Sequence, residues 1–123
     1  MFVGRNNKEN DRLSKSVARG NDLWFHVGQG YAGSHVVLRL PKEKTASLES
    51  LLDAGTLALH FSKARNATRC EIIYTPAKNV RKPKGLPPGK VTTTNTKTLL
   101  VDRDEERLRR LLDSLGSDAV DHR

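Results

Sequence analysis

The chain has 123 residues, with 22 Lys and Arg against 14 Asp and Glu, for a net charge of +8. That length bounds it to one domain, and an apolar fraction of 36 % means a small core built mainly of Leu, Val, Ile and Ala. A lone cysteine, Cys70, excludes an internal disulfide and points to a reducing compartment, so the cytoplasm is the expected location. No run is apolar enough for a membrane span, and the first six residues lack the apolar segment of a secretory signal.

Met1 to Val3 reads as a short strand. Asn6 then caps a helix, with Glu9 three residues on in a capping-box relation, and the helix is expected to run to about Arg19 before Gly20-Asn21. Residues 23–27 and 36–40 form a hairpin around Gly28-Gln-Gly-Tyr-Ala-Gly33, closed by Pro41. Thr45 or Ser47 caps a second helix reaching about Ala64. On it Leu48, Leu51, Leu52, Gly55, Ala58, Leu59 and Ser62 mark the core face, with Gly55 and Ala58 set for close approach to a sheet. Cys70 to Tyr74 is a strand, and residues 91–94 and 98–101 read as a second hairpin. Asp102 is placed as the cap of a last helix that turns Leu108, Leu111, Leu112 and Leu115 inward and stops at Gly116. These elements give an α+β fold: a small mixed or antiparallel sheet with two or three packed helices.

Between the last two strand regions lies Lys78-Asn-Val-Arg-Lys-Pro-Lys-Gly-Leu-Pro-Pro-Gly-Lys90. It carries five cations and no acid, and its three prolines and two glycines forbid a helix or an inner strand. A loop stiffened in this way holds its cations in a restricted set of geometries, which suits a polyanion with regularly spaced phosphates. Charge distribution agrees. Residues 102–123 hold half of the acids, whereas residues 1–101 carry 17 basic and 7 acidic side chains. A field of that sign attracts nucleic acid, and a membrane surface fits less well because no amphipathic helix with bulky anchors adjoins the loop.

Other constellations are weaker. Gly28, Gly30 and Gly33 have dinucleotide-binding spacing, but strand-forming residues follow where that motif needs a helix. His26 and His35, with Asp22 and Ser34 nearby, could serve as general acid and base on RNA, yet no carboxylate pair or nucleophile elbow accompanies them. His26, His35, His60 and Cys70 match no metal-ligand spacing, so neither a metal nor another cofactor is expected. Trp24, the single tryptophan, reads as core rather than as a base-stacking platform.

Gly4-Arg-Asn-Asn-Lys-Glu-Asn-Asp11, Asn21-Asp-Leu-Trp-Phe-His26, Gly33-Ser-His-Val-Val37, Ser62-Lys-Ala-Arg65, Tyr74-Thr75, Lys78-Asn-Val-Arg-Lys-Pro-Lys-Gly85, Pro88-Gly89 and Lys97-Thr-Leu99 occur in one register. In that order they resemble the NFACT RNA-binding domain, over roughly residues 2–101. The resemblance implies an α+β module acting on structured RNA, either tRNA or the rRNA of the large ribosomal subunit. Its setting would be ribosome quality control or tRNA metabolism. The other domains of full-length family members are not seen, so the chain looks like a stand-alone member or an excised domain. Two departures stand out: the Gly28-Gln-Gly-Tyr-Ala turn, and the helix from Asp102 onward.

On this reading residues 1–101 form the RNA-binding domain, 102–116 a helix packed on it and 117–123 a flexible tail. Physics and resemblance together nominate Arg5, Asn6, Lys8, His26, Ser34, His35, Lys63, Arg65, Lys78, Arg81, Lys82, Lys84 and Lys90 as RNA-binding residues, with RNA as the partner and no catalytic group. The alternative is an RNA-acting enzyme, or an accessory to tRNA modification, that uses His26 and His35.

Overall fold

Strand β2, Leu23–Val27, occupies the centre of a five-stranded antiparallel sheet in the computed structural model, which describes residues 1–41 and 43–121. The order across the sheet is β1 (Phe2–Val3), β3 (Val36–Leu38), β2, β4 (Arg69–Pro76) and β7 (Lys97–Asp102). Three helices complete the α+β fold: α1 (Asn7–Arg12), α2 (Leu48–His60) and α3 (Glu105–Asp121). A small second sheet pairs β5 (Val80–Arg81) with β6 (Thr92–Thr93). No helix among the described residues is long and apolar enough to cross a membrane.

Alternation along β2 sends its side chains to two cores. Phe25 and Val27 join Val36, Ile72, Val101 and the Ala54–Leu57–Ala58 face of α2. Trp24 points the other way, packing with Leu13 and Val37 beneath the first helical segment and the β5–β6 ribbon. Trp24 is therefore core, as its sequence context suggests, although its indole Nε1 is buried without a hydrogen-bond acceptor among the described residues. Gly55 is needed where it stands. A Cβ built there would come 2.8 Å from Val101 and 3.1 Å from Leu99, both on β7.

Several boundaries differ from expectation. The first helix is α-helical only to Arg12 and then widens into a π turn over Leu13–Val17, where Ala18 N–H donates to Leu13 O at 2.8 Å. Strand β3 stops at Leu38, and Arg39 and Leu40 turn instead to the buried Asp22 carboxylate. Ser47, not Thr45, caps α2, accepting from Ser50 N–H at 3.1 Å. That helix ends at His60 rather than Ala64 because the Ser62 hydroxyl takes over the local backbone. It donates to Leu59 O at 2.7 Å and accepts from Ala64 N–H at 3.1 Å.

The expected hairpin of residues 91–94 and 98–101 does not form. β6 pairs with β5 and β7 with β4, so the two segments belong to different sheets. Asp104, not Asp102, caps α3 through Arg107 N–H at 3.0 Å, because β7 continues to Asp102, which pairs with Arg69. The last helix passes through Gly116 and is continuous to Asp121; the final two positions of the expected 117–123 tail lie outside the described residues. Leu111, Leu112 and Leu115 reach the core as expected, and Asp53 of α2 holds both Arg107 and Arg110 of α3.

Candidate nucleic-acid interface

The face of the sheet opposite α2 carries the candidate site. There α1 stands beside the loop of residues 82–91 that joins β5 to β6. Asn6 caps α1, its Oδ1 accepting from Glu9 N–H at 2.9 Å, while Glu9 Oε1 reaches back to Arg5 N–H at 2.8 Å. The buried side of this helical segment consists of Asn10, Leu13 and Ser14, so Lys8, Arg12 and Lys15 fall on its outward side. Against its flank lies the loop. Gly89 N–H donates to Asp11 Oδ1 at 3.0 Å, and a Cβ on Gly89 would strike the side chain of Asn7 at 2.4 Å.

Beneath this junction the two nominated histidines meet. His26 and His35 ring centroids lie 5.7 Å apart, edge to face, and Trp24 contacts both rings. His35 is 2 % exposed, its Nδ1 3.0 Å from Ser14 Oγ and its backbone N–H donating to Asn10 Oδ1 at 3.0 Å. Burial, and then the adjacent His26, pull the His35 pKa down to about 4. His26 is half-buried, with Nδ1 2.6 Å from the Val27 carbonyl, which makes Nδ1 the protonated nitrogen of a neutral ring. Burial lowers its pKa, and the charge on Lys90 lowers it further. Both rings are neutral at physiological pH.

The cations divide into two groups. Arg5, Lys8, Arg81, Lys84 and Lys90 are exposed and have no carboxylate partner among the described residues. Lys82 points inward, to Asp11. Partial desolvation raises the Asp11 pKa, but hydrogen bonds from Lys82 and Gly89 N–H outweigh it and hold the carboxyl below its usual range. Lys63 is exposed, its N–H donating to Ala32 O at 2.8 Å beside the Gly28–Gly33 turn. Ser34 is buried, with its N–H on Phe61 O.

Arg65 and Lys78 lie elsewhere. Arg65 offers its carbonyl to Arg103 at the approach to α3, and Lys78 N–H donates to Gly20 O. Arg12 and Lys15 are exposed cations on the same outward face as Lys8. Neither belongs to the nominated set, although the 8–12–15 spacing opposite an apolar stripe is a signal that singles them out.

A profile of the NFACT protein RNA binding domain matches residues 1–95. The chain belongs to that family. RqcH of Bacillus subtilis, an Rqc2 homologue, is 36 % identical over 113 residues, covering 90 % of this chain and 19 % of that protein. RqcH of Streptococcus suis is 37 % identical over 109 residues, again 19 % of its length. The NFACT chain described here thus spans about a fifth of these relatives. Protein JLP2 of Saccharomyces cerevisiae is 35 % identical over 98 residues, which cover 75 % of this chain and 47 % of that protein. Among solved structures, the C-terminal part of the fibronectin/fibrinogen-binding protein of Streptococcus suis superposes with a TM-score of 0.80 at 38 % identity. It covers 89 % of this chain and 43 % of that chain.

Proposed function

We propose that this domain binds structured RNA without chemical turnover, through the outward face of α1 and the adjoining 82–91 loop. One observation carries the reading. Arg5, Lys8, Arg81, Lys84 and Lys90 are exposed and have no carboxylate partner among the described residues, and they lie on or next to two elements docked to each other through Asp11 and Gly89. Cations held on a fixed scaffold meet phosphates at set spacings, and Arg12 and Lys15 extend the same face. Lys63 sits at its edge, Asn6 caps α1 from the exposed side, and Ser34 and His35 support it from within. Lys78 and Arg65 would add charge from outside it.

Scarce aromatics favour folded RNA. Trp24 is buried, and Phe2, 36 % exposed, has one face taken by Arg39, whose guanidinium lies 5.1 Å from the ring centroid. Tyr31, 44 % exposed, is left as a stacking surface, too little for a strand of unpaired bases. Kinship with the RqcH proteins supports a role in ribosome quality control, and on our reading the ligand is tRNA or large-subunit rRNA and the setting the cytoplasm. Against an RNA-cleaving pair stands the setting of the histidines. Their Nδ1 atoms face Val27 O and Ser14 Oγ, not a carboxylate, and His35 is shut from solvent.

Competition between labelled folded tRNA and an unstructured strand of equal length tests the proposal. Preference for tRNA, with the RNA recovered chemically unchanged, supports it. Preference for the single strand contradicts the shape-based reading. Covalent change in the RNA that is lost on His26→Ala would establish the enzyme reading instead.

A further inference from the structure

Residues 82–91 contain two consecutive tight turns. Leu86 N–H donates to Pro83 O at 3.3 Å, and Lys90 N–H donates to Pro87 O at 3.1 Å. The third position of each turn is a glycine, Gly85 with φ +94 and Gly89 with φ +80, the backbone that a type II turn requires. Pro88 presets the second position of the second turn. These features shape the turns but do not fix where the loop points.

Lys82 supplies the missing tie. Its ammonium donates to Pro87 O, to Lys90 O at 2.7 Å and to Asp11 Oδ1 at 3.1 Å. An ammonium has three N–H donors, and each of the three has an acceptor here. The same Asp11 oxygen accepts from Gly89 N–H at 3.0 Å, so one carboxylate of α1 holds both the start and the end of the loop. Lys82 and Asp11 side chains are 11 % and 20 % exposed, while Arg81, Lys84 and Lys90 face solvent. A phosphate could reach Lys82 only by displacing Asp11 or a turn carbonyl.

We propose that Lys82 is a positioning residue, which clamps the two turns onto α1 and so aims Lys84 and Lys90 at RNA phosphates without touching phosphate itself. The proposal rests on the RNA-binding reading above. It separates one cation of the basic loop from the others: Lys82 supplies geometry, and its neighbours supply counterion release.

The test uses the whole chain and two readouts. Amide hydrogen exchange at Gly89 and Lys90 reports the clamp in the absence of RNA. Both amides are expected to exchange at least about tenfold faster in Lys82→Ala, with helix α2 unaffected. Lys82→Arg gives the same exchange arm a second, charge-retaining variant should Lys82→Ala not fold. A guanidinium fork does not fit a cradle built for a compact ammonium, so exchange rises there as well.

For the phosphate question, the double variant Asp11→Ala/Lys82→Ala keeps the net charge. Its affinity for tRNA should fall while its slope of log K against log salt stays within about 0.3 of wild type. Unchanged exchange at Gly89 and Lys90 overturns the clamp. A slope flattened by a full contact, about 0.7 to 0.9, overturns the claim that Lys82 avoids phosphate. Absence of RNA affinity in the wild type would sink the RNA-binding reading, and the exchange readout would still report on the clamp separately.

Discussion

Ser14 Oγ lies 3.0 Å from His35 Nδ1, joining the π turn of the first helical segment to the entry of β3 beneath the proposed RNA surface. His35 is neutral there, and its pKa of about 4 contrasts with the ordinary 6.5 it regains on unfolding. Above pH 6.5 the ring is neutral in both states and stability is full. Between pH 6.5 and about 4 the unfolded chain takes up a proton that the folded one refuses, so stability falls as pH falls. The loss levels off below the folded value, at up to about 3 kcal/mol. His26 shifts in the same direction and adds to the effect. Urea denaturation at pH 7 and pH 4.5, for wild type and His35→Gln, checks this. The wild type should lose more stability between the two than the variant does; equal losses contradict the assignment.

Gly55→Ala is expected to destabilise the protein despite the better helix propensity of alanine. The added methyl meets Val101 at 2.8 Å and Leu99 at 3.1 Å, in the closest part of the α2–sheet packing. Overpacking costs about 1–3 kcal/mol against a helix gain of about 1 kcal/mol. A denaturation midpoint at or above that of wild type would show that the sheet gives way easily.

Asp53 fixes α3 to the domain. Arg107 Nη1 at 2.7 Å and Arg110 Nη2 at 2.8 Å share its Oδ1, and Asp53 and Arg107 are largely shielded. The carboxylates of Glu49 and Asp53 also raise the Arg107 pKa. Asp53→Ala leaves a half-buried guanidinium short of a partner, at a cost of about 1–3 kcal/mol. Limited trypsin digestion should then cut α3 faster than in the wild type. An unaltered digestion pattern and melting temperature would mean that Leu111, Leu112 and Leu115 hold the helix by themselves.

The parts of this fold that could be read from sequence are those set by neighbouring residues. The apolar, β-forming run Leu23–Val27 and the three- and four-residue spacing along α2 announce their elements locally; β2 has the expected bounds, while α2 stops at His60, short of Ala64, and leaves Leu48 exposed. Choice of strand partner does not show in that way. Val80–Arg81 could pair with any free edge, and a hairpin with the following strand is the shortest connection for Thr92–Thr93, yet these two segments pair with each other. Asp102 and Asp104 have the same capping chemistry, and only the length of β7 makes Asp104 the cap of α3.

At the site, charge was legible and orientation was not. Lys82 and Lys84 look alike in the sequence, yet one turns to Asp11, 71 positions earlier, and the other to solvent. His35 is nominated as an RNA-binding residue, yet it is 2 % exposed. Ser14 and Asn10, which enclose it, belong to a helix that the local sequence does not connect to it.

The central claim, that the exposed cations of the 82–91 loop and its flank bind RNA phosphate, is tested most directly by salt titration of a triple variant, Arg81→Ala/Lys84→Ala/Lys90→Ala. All three side chains face solvent and none has a carboxylate partner among the described residues, so the melting temperature should hardly move. Each lost phosphate contact removes about 0.7 to 0.9 from the slope of log K against log salt, so the triple variant should be flatter than wild type by about 2 to 3 units. The flattening should be similar for every folded RNA tried. A folded variant whose slope equals that of wild type would contradict the account and leave the loop a solvated surface.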